Sequence, residues 1–163
     1  MTVVRFEVLP GDPVPLNPEY CVTDHSFDVS FDDFGAGQWI GKEGVTSIAI
    51  VYLQIEVDIE SRRALYAWGL HSNTNWIAER LDPVGALPSI VRVYAEPDLL
   101  PGVSIRIGDN TEWSTSYDES SGWVCIARVD LSVDLLGEIA TGTLLGFADG
   151  ELASVWIRPS MIK

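Results

Sequence analysis

The chain has 163 residues, of which 47% are hydrophobic and 21% are charged, and it carries 24 acidic residues against 10 basic ones. This composition supplies enough apolar material for a buried core and argues against disorder, and the length predicts one globular domain over residues 1–163. The formal net charge of −14 opposes contact with polyanionic nucleic acid and with anionic membranes, so neither is expected as a partner.

The N-terminal residues lack the basic region and apolar core of a secretory signal, and no apolar stretch has the length of a membrane-spanning helix. We therefore expect a cytoplasmic protein in which Cys21 and Cys125 are reduced thiols. A disulfide between them stays open as the alternative, for a secreted chain whose signal has been removed.

Alternation of apolar and polar residues predicts the first two strands, over Val3–Leu9 and His25–Phe31. Between them, the proline-rich segment 10–18 predicts an extended connector, because proline cannot donate regularly into a ladder. The acidic pair Asp32–Asp33 ends the second strand.

The glycine-bearing segment Gly35–Gly44 has the composition of a phosphate-binding loop but not its spacing. Three residues separate Gly37 from Gly41 where four are needed, and Ile40 stands where the last glycine of a dinucleotide fingerprint belongs. We therefore predict an ordinary loop and no nucleotide cofactor.

The segment Ile48–Leu70 contains the longest apolar run and is predicted to lie at the centre of the fold. Its first residues are apolar on both faces, and strict alternation then continues to Glu60. This pattern predicts one long strand over Thr46–Ile59, with a bulge or bend where the pattern changes. The charged residues 60–63 predict a turn, followed by a return strand that ends at Leu70.

Two of the later segments have the signals of short helices. The first, Asn75–Leu81, follows polar cap candidates and precedes Pro83, and the second, Ser132–Ala140, has apolar residues near helical spacing before Gly142.

Further strands are predicted from alternation and from turn residues. Two lie at 89–95 and 103–107, a hairpin joins 111–117 to 123–131, and Asp149–Gly150 predicts a tight hairpin between 144–148 and 152–157. The whole pattern predicts a mainly β, antiparallel sandwich or barrel-like fold of about nine or ten strands with one or two short helices.

A polar cluster between two tryptophans is the best candidate for a ligand- or partner-binding loop, because indoles offer contact area and amides offer directed hydrogen bonds. A second candidate is an aromatic pair on an otherwise Ser/Thr strand. Turn hydrogen bonds and core packing are the alternative roles of these residues. The candidate binding residues are Trp68, His71, Asn73, Asn75, Trp76, Trp113 and Tyr117.

No catalytic residue, metal ligand or cofactor is predicted. The tripeptide Asp24–His25–Ser26 directs neighbouring side chains to opposite faces of a strand, so it does not form a triad. His25, His71 and the cysteines lack the spacing of a zinc site, and the oxygen-rich turns at 109–112 and 118–119 lack the order of an EF-hand.

These observations favour a non-enzymatic acidic interaction protein, of the inhibitor or immunity type, that binds a protein partner with a basic surface. The alternative is a sandwich module that binds a small ligand or carbohydrate, and a small hydrolase-type enzyme is the third hypothesis. Self-association is compatible with each of these, because a second copy can cover an exposed strand edge or aromatic patch.

Overall fold

The protein is described by a computed structural model that covers residues 2–31, 35–108 and 112–163. Within these residues the chain forms fifteen strands and one turn of 3-10 helix, Ala36–Trp39. The strands are β1 (Val3–Pro10), β2 (Asn17–Cys21), β3 (Ser26–Ser30), β4 (Val45–Ile50), β5 (Leu53–Asp58), β6 (Ala64–Leu70), β7 (Ile77–Ala78), β8 (Leu87–Glu96), β9 (Ile105–Arg106), β10 (Trp113–Tyr117), β11 (Val124–Arg128), β12 (Leu135–Ala140), β13 (Thr143–Ala148), β14 (Glu151–Ile157) and β15 (Ser160–Ile162).

The strands form two sheets that pack together as a sandwich, which confirms the predicted fold class. The eight-stranded sheet has the order β1-β8-β12-β13-β14-β11-β10-β7, and the seven-stranded sheet has the order β15-β2-β3-β6-β5-β4-β9. Both sheets are mixed, because β7, β9, β12 and β15 each pair in parallel with a neighbour. The strand count exceeds the predicted nine or ten for three reasons. The central segment forms β4 and β5 instead of one strand, β7 and β12 lie where helices are predicted, and β2 and β15 lie where no strand is predicted.

The core lies between the two sheets, and alternate residues of the central strands enter it. On β4 and β5 these are Ile48, Ile50, Leu53 and Ile55, each at most 1% exposed. Burial of one such side chain contributes about 1.5–3 kcal/mol, so the central segment supplies much of the driving force for folding.

The central segment is a three-strand meander rather than a long hairpin, so the single strand predicted over Thr46–Ile59 is wrong. A two-residue turn at Val51–Tyr52 separates β4 from β5, and Ile50 pairs with Leu53 across it. Val51 adopts φ 57°, a conformation that β-branched residues rarely take. Because such turns usually contain Gly, Asn or Asp, the residue types at 51 and 52 do not predict a turn. The predicted turn at residues 60–63 is confirmed, because β6 returns antiparallel to β5.

Both predicted helices are strands in the structure. Within 75–81 the chain forms β7, which pairs in parallel with β10, and within 132–140 it forms β12, which lies between β8 and β13. Hydrogen bonding to neighbouring strands therefore outweighs the local helical spacing, as tertiary context often does.

Both hairpins predicted in the second half are present. β10 pairs antiparallel with β11, and β13 pairs with β14 across Asp149 and Gly150, whose φ angles of 50° and 81° suit a type I′ turn. Two predicted features lie outside the described residues. They are the acidic pair at 32–33 and the first three residues of the oxygen-rich turn 109–112, which include the predicted start of one strand at Thr111.

The glycine-bearing loop is held against the turn between β5 and β6. The N–H of Gly41 donates to Asp58 Oδ1 at 2.8 Å, and the N–H of Lys42 donates to Glu60 Oε2 at 3.2 Å. A Cβ on Gly41 would overlap the side chain of Glu60. The glycine therefore permits a close approach within the fold, and the loop anchors the meander.

Candidate functional site

A cleft of about 280 Å³ opens where the two sheets meet, beside the loop that leaves β6. We call it the 71–115 cleft. The loop contributes an imidazole, an indole and an amide, and β10 contributes a second indole and two hydroxyl groups. The lining residues are Val51, His71, Ser72, Asn75, Trp76, Trp113, Ser114 and Thr115.

His71 bridges the two sheets. Its main-chain N–H donates to His25 O at 2.7 Å, and its carbonyl accepts a hydrogen bond of 2.6 Å from the Tyr20 hydroxyl. Across the cleft its Nε2 lies 2.7 Å from Thr115 Oγ1 on β10. Main-chain bonds to the seven-stranded sheet therefore fix the residue, while its ring reaches the eight-stranded sheet.

Burial lowers the pKa of His71 from 6.5 to about 4. The imidazole is therefore neutral near pH 7, where one ring nitrogen donates and the other accepts. Because Thr115 Oγ1 can also donate or accept, the pair offers either hydrogen-bonding role to a bound group.

Trp76 is the centre of an aromatic cluster beneath the cleft. Its ring centroid lies 5.0 Å from that of Tyr20, 5.7 Å from Tyr117 and 6.1 Å from both Phe27 and His71. These distances lie within the range of favourable aromatic contacts. The cluster holds the Trp76 ring in place and therefore shapes the cleft wall.

Two indole nitrogens of the cleft residues are buried without a partner in the part of the chain that is described. They are Nε1 of Trp76 and Nε1 of Trp113. Buried donors are normally paired with protein or water, so these two indoles are exceptions to the usual pattern.

The seven sequence-predicted residues divide into three groups. His71, Asn75, Trp76 and Trp113 line the 71–115 cleft. Tyr117 contacts Trp76 from behind, and the carbonyl of Asn73 accepts the Trp76 main-chain N–H at 3.4 Å, so both support the cleft. The seventh, Trp68, lies elsewhere.

Trp68 lies on the outer face of the seven-stranded sheet, where its Nε1 donates to Glu56 Oε1 at 3.4 Å. Burial raises the pKa of Glu56 and raises that of the neighbouring Tyr66 to about 12. Gln54 pairs with Trp68 across the ladder, so this face carries a half-exposed row of aromatic, amide and carboxyl groups. Asp58, which alternation places on the same face as Gln54 and Glu56, is only 3% exposed and is bound by Gly41 and Ser61.

Four lining residues are outside the sequence-predicted set: Val51, Ser72, Ser114 and Thr115. Val51 was predicted to lie inside a strand, and the signal that could have located it is the change of pattern near that position. Thr115 is on the same inward face as Trp113 and Tyr117, as alternation predicts, but its contact with His71 spans 44 residues of sequence. Local patterns carry no information about such a pair.

Three large apolar side chains next in sequence to cleft residues are exposed. Tyr52, Leu70 and Ile77 are 62%, 59% and 54% exposed, and each is the sequence neighbour of a residue that lines the cleft. Large exposed apolar side chains can serve as contacts in a recognition surface.

The His71–Thr115 pair resembles a base and a nucleophile in distance only. A ring whose pKa is about 4 is a weak base near neutral pH, and Thr115 is 9% exposed. No carboxylate among the described residues bonds to the His71 ring to orient it, as a triad requires.

Cys21 and Cys125 are free thiols, and burial raises the pKa of Cys125 to about 12, which makes it unreactive. The described residues contain no group of three or more His, Cys, Asp or Glu side chains arranged to hold a metal ion.

No known protein family, curated protein or solved structure matches the chain. Over the described ranges, no helix has the length and apolar character needed to cross a membrane.

Proposed function

We propose that the protein is a non-enzymatic binding protein that recognises a protein partner at the 71–115 cleft and the exposed apolar residues next to it in sequence. The observation that carries this proposal is a cleft with neutral hydrogen-bonding groups whose lining residues are adjacent in sequence to exposed Tyr52, Leu70 and Ile77. Apolar anchors around directed polar contacts are the usual composition of an interface centre.

The partner is expected to carry a basic surface. The net charge of −14 attracts a cationic protein over long distances and increases its association rate, while the neutral cleft supplies the specific contacts. An inhibitor or immunity-type role in the cytoplasm agrees with this arrangement, and the two free thiols suit a reducing compartment.

Peptides selected from a random displayed library provide a defined probe for this proposal. Selected binders are expected to combine lysine or arginine with an aromatic or aliphatic anchor, and their affinity is expected to fall as salt is raised. The substitutions Tyr52→Ser and Leu70→Ser are expected to weaken these peptides about tenfold each, because each removes an exposed apolar contact.

Val84→Ser is the matched control, because Val84 is 78% exposed and does not line the cleft. A library that yields no cleft-dependent binder, or binders that respond equally to the Val84 and Tyr52 substitutions, would contradict the proposal.

A carbohydrate-binding role is the second candidate, and the outer face around Trp68 favours it. Trp68, Tyr66, Gln54 and Glu56 combine aromatic rings with amide and carboxyl groups, the side chains that bind sugars by stacking and hydrogen bonding. Titration of defined oligosaccharides against tryptophan fluorescence tests it, with Trp68→Ala expected to abolish the response and Leu70→Ser expected to leave it unchanged.

A further inference from the structure

Among the described residues, strand β1 has a main-chain ladder on one of its two edges. That ladder is antiparallel, to β8, from Val3 opposite Glu96 to Pro10 opposite Ser89, and β1 forms one end of the eight-stranded sheet. The other terminal strands, β7, β9 and β15, contain two or three residues, whereas β1 contains eight. A long open edge presents main-chain groups to which another strand can bond.

The ladder shows which main-chain groups of β1 point outward. The N–H of Gly11 donates to Pro88 O at 3.5 Å, so the odd-numbered residues of β1 bond to β8. Val93, which lies opposite Phe6, donates instead to Arg62 O at 2.8 Å on the far side of β8. Because antiparallel ladders alternate, the N–H and C=O groups of the even-numbered residues of β1 point away from β8.

The outward groups belong to Val4, Phe6 and Val8. Among the residues that the structure describes, none provides a main-chain partner for them. The side chains of all three are half-buried and pack against the core, so the strand is held firmly from its inner face. The edge is therefore an ordered template.

The sequence of β1 is chemically symmetric about Phe6. Val4 and Val8 are the same residue at equal distances from it, and Arg5 and Glu7 carry opposite charges at equal distances. An antiparallel pairing of two such strands, with Phe6 opposite Phe6, places valine opposite valine and arginine opposite glutamate. A strand of unrelated sequence would lack this match.

We propose that two copies of the chain pair antiparallel through the open edges of β1, with a two-fold axis at Phe6. The outward N–H and C=O groups of Phe6 then bond to those of the second copy's Phe6, and those of Val4 bond to the second copy's Val8. The two eight-stranded sheets become one continuous sheet across the dimer, and both open edges are removed.

Charge complementarity sets the register of this pairing. Arg5 lies opposite the second copy's Glu7 at positions where cross-strand side chains are closest. Within each chain Arg5 already stacks on the ring of Tyr94 at 4.7 Å, and Glu7 lies 3.5 Å from Arg92. Both side chains are therefore ordered on the same outer face before the second copy binds.

Sedimentation across a range of protein concentrations tests the proposal. The wild type is expected to show a monomer–dimer equilibrium. Arg5→Glu alone and Glu7→Arg alone each place like charges opposite one another twice in the dimer, so each is expected to raise the dissociation constant about tenfold or more.

An equimolar mixture of the two single variants is the decisive sample. One variant then carries glutamate at positions 5 and 7, and the other carries arginine at both. Opposite charges face one another at each position of the mixed pair, so a heterodimer is expected to form with near wild-type affinity. The double variant Arg5→Glu/Glu7→Arg is expected to restore the homodimer for the same reason.

Two further variants separate pairing from folding. Arg92→Glu breaks the Glu7–Arg92 contact within one chain, but residue 92 lies on β8 and not on the paired strands. The dissociation constant of the dimer is therefore expected to stay within about threefold of wild type. Val8→Pro removes one outward N–H without removing a bond to β8, and it is expected to abolish the dimer while circular dichroism reports an intact fold.

A wild type that stays monomeric at every concentration would overturn the proposal. So would a dimer that is unaffected by either single charge variant, or single variants whose mixture fails to restore association. Because β1 is separate from the 71–115 cleft, any of these results would leave peptide binding at the cleft unaffected.

Discussion

Trp68 and Trp76 stand at the two ends of one short segment, but they lie in opposite environments. Trp76 packs among four rings between the sheets, whereas Trp68 lies on the outer face beside Glu56. The alternation of β6 sends Trp68 outward, and the chain then turns inward before it reaches Trp76. Closeness in the sequence therefore groups residues that strand parity separates.

The two regions also differ in how they respond to pH. Burial favours the neutral form of the titrating group in both, so it lowers the pKa of His71 to about 4 and raises that of Glu56. The cleft therefore loses stability on acidification, whereas the outer face gains it. Four predictions test this contrast, from the largest expected effect to the smallest.

Trp76→Ala is expected to lower the free energy of unfolding by about 3–5 kcal/mol, because it removes the ring that four others contact. Trp68→Ala, which removes a half-exposed ring, is expected to cost about 1 kcal/mol. Urea denaturation of both variants measures the difference. Equal losses of unfolding free energy would show that the two indoles contribute alike and would contradict the predicted difference.

Acidification from pH 6.5 to pH 4 is expected to remove up to about 3 kcal/mol through His71. Between pH 4 and pH 6.5 the unfolded chain binds a proton at His71, whereas the folded protein does not. The stability that depends on neutral His71 is therefore fully present above pH 6.5 and decreases as the pH falls towards 4. The pKa values of Asp58 and Asp98 are lowered, so these carboxylates act below the interval.

His71→Gln is the variant that checks this assignment. It keeps a hydrogen-bonding side chain but cannot take up the proton, so denaturation midpoints measured between pH 4 and pH 6.5 are expected to vary less than in the wild type. An unchanged pH dependence would show that another group is responsible.

Tyr20→Phe is expected to cost about 1–2 kcal/mol, because it leaves the carbonyl of His71 without its 2.6 Å hydrogen bond. Tyr66→Phe removes a hydroxyl that bonds to Glu56 on the half-exposed outer face, where water can replace it, so a smaller loss is expected. Thermal unfolding of the two variants measures the difference in stability. A larger loss of stability for Tyr66→Phe than for Tyr20→Phe would contradict the prediction.

Glu56→Gln is expected to give the smallest change and to stabilise the protein slightly at pH 7. The folded pKa of Glu56 lies above its unfolded value, so ionisation opposes folding as pH rises through that interval, and glutamine removes the opposition. The amide oxygen can still accept from Trp68. Denaturation midpoints at pH 7 and pH 4 check the sign, and a destabilised variant at pH 7 would contradict it.

The candidate cleft was only half predictable from the sequence. His71, Asn75 and Trp76 lie together because polar and aromatic residues follow one another in a single loop. The sequence places Trp113 in a separate aromatic pair, and its position across the cleft depends on how β10 stacks over the loop. Thr115 reaches the cleft on the same strand, whereas Val51 reaches it from the turn between β4 and β5.

The sequence by itself determined the β class, the turn at residues 60–63 and the hairpin at Asp149–Gly150, because alternation and turn chemistry act between neighbours. Only the tertiary structure decided that Val51–Tyr52 is a turn, that 135–140 is a strand and that His71 meets Thr115. These features depend on hydrogen bonds and packing between segments far apart in the chain, which no local pattern records.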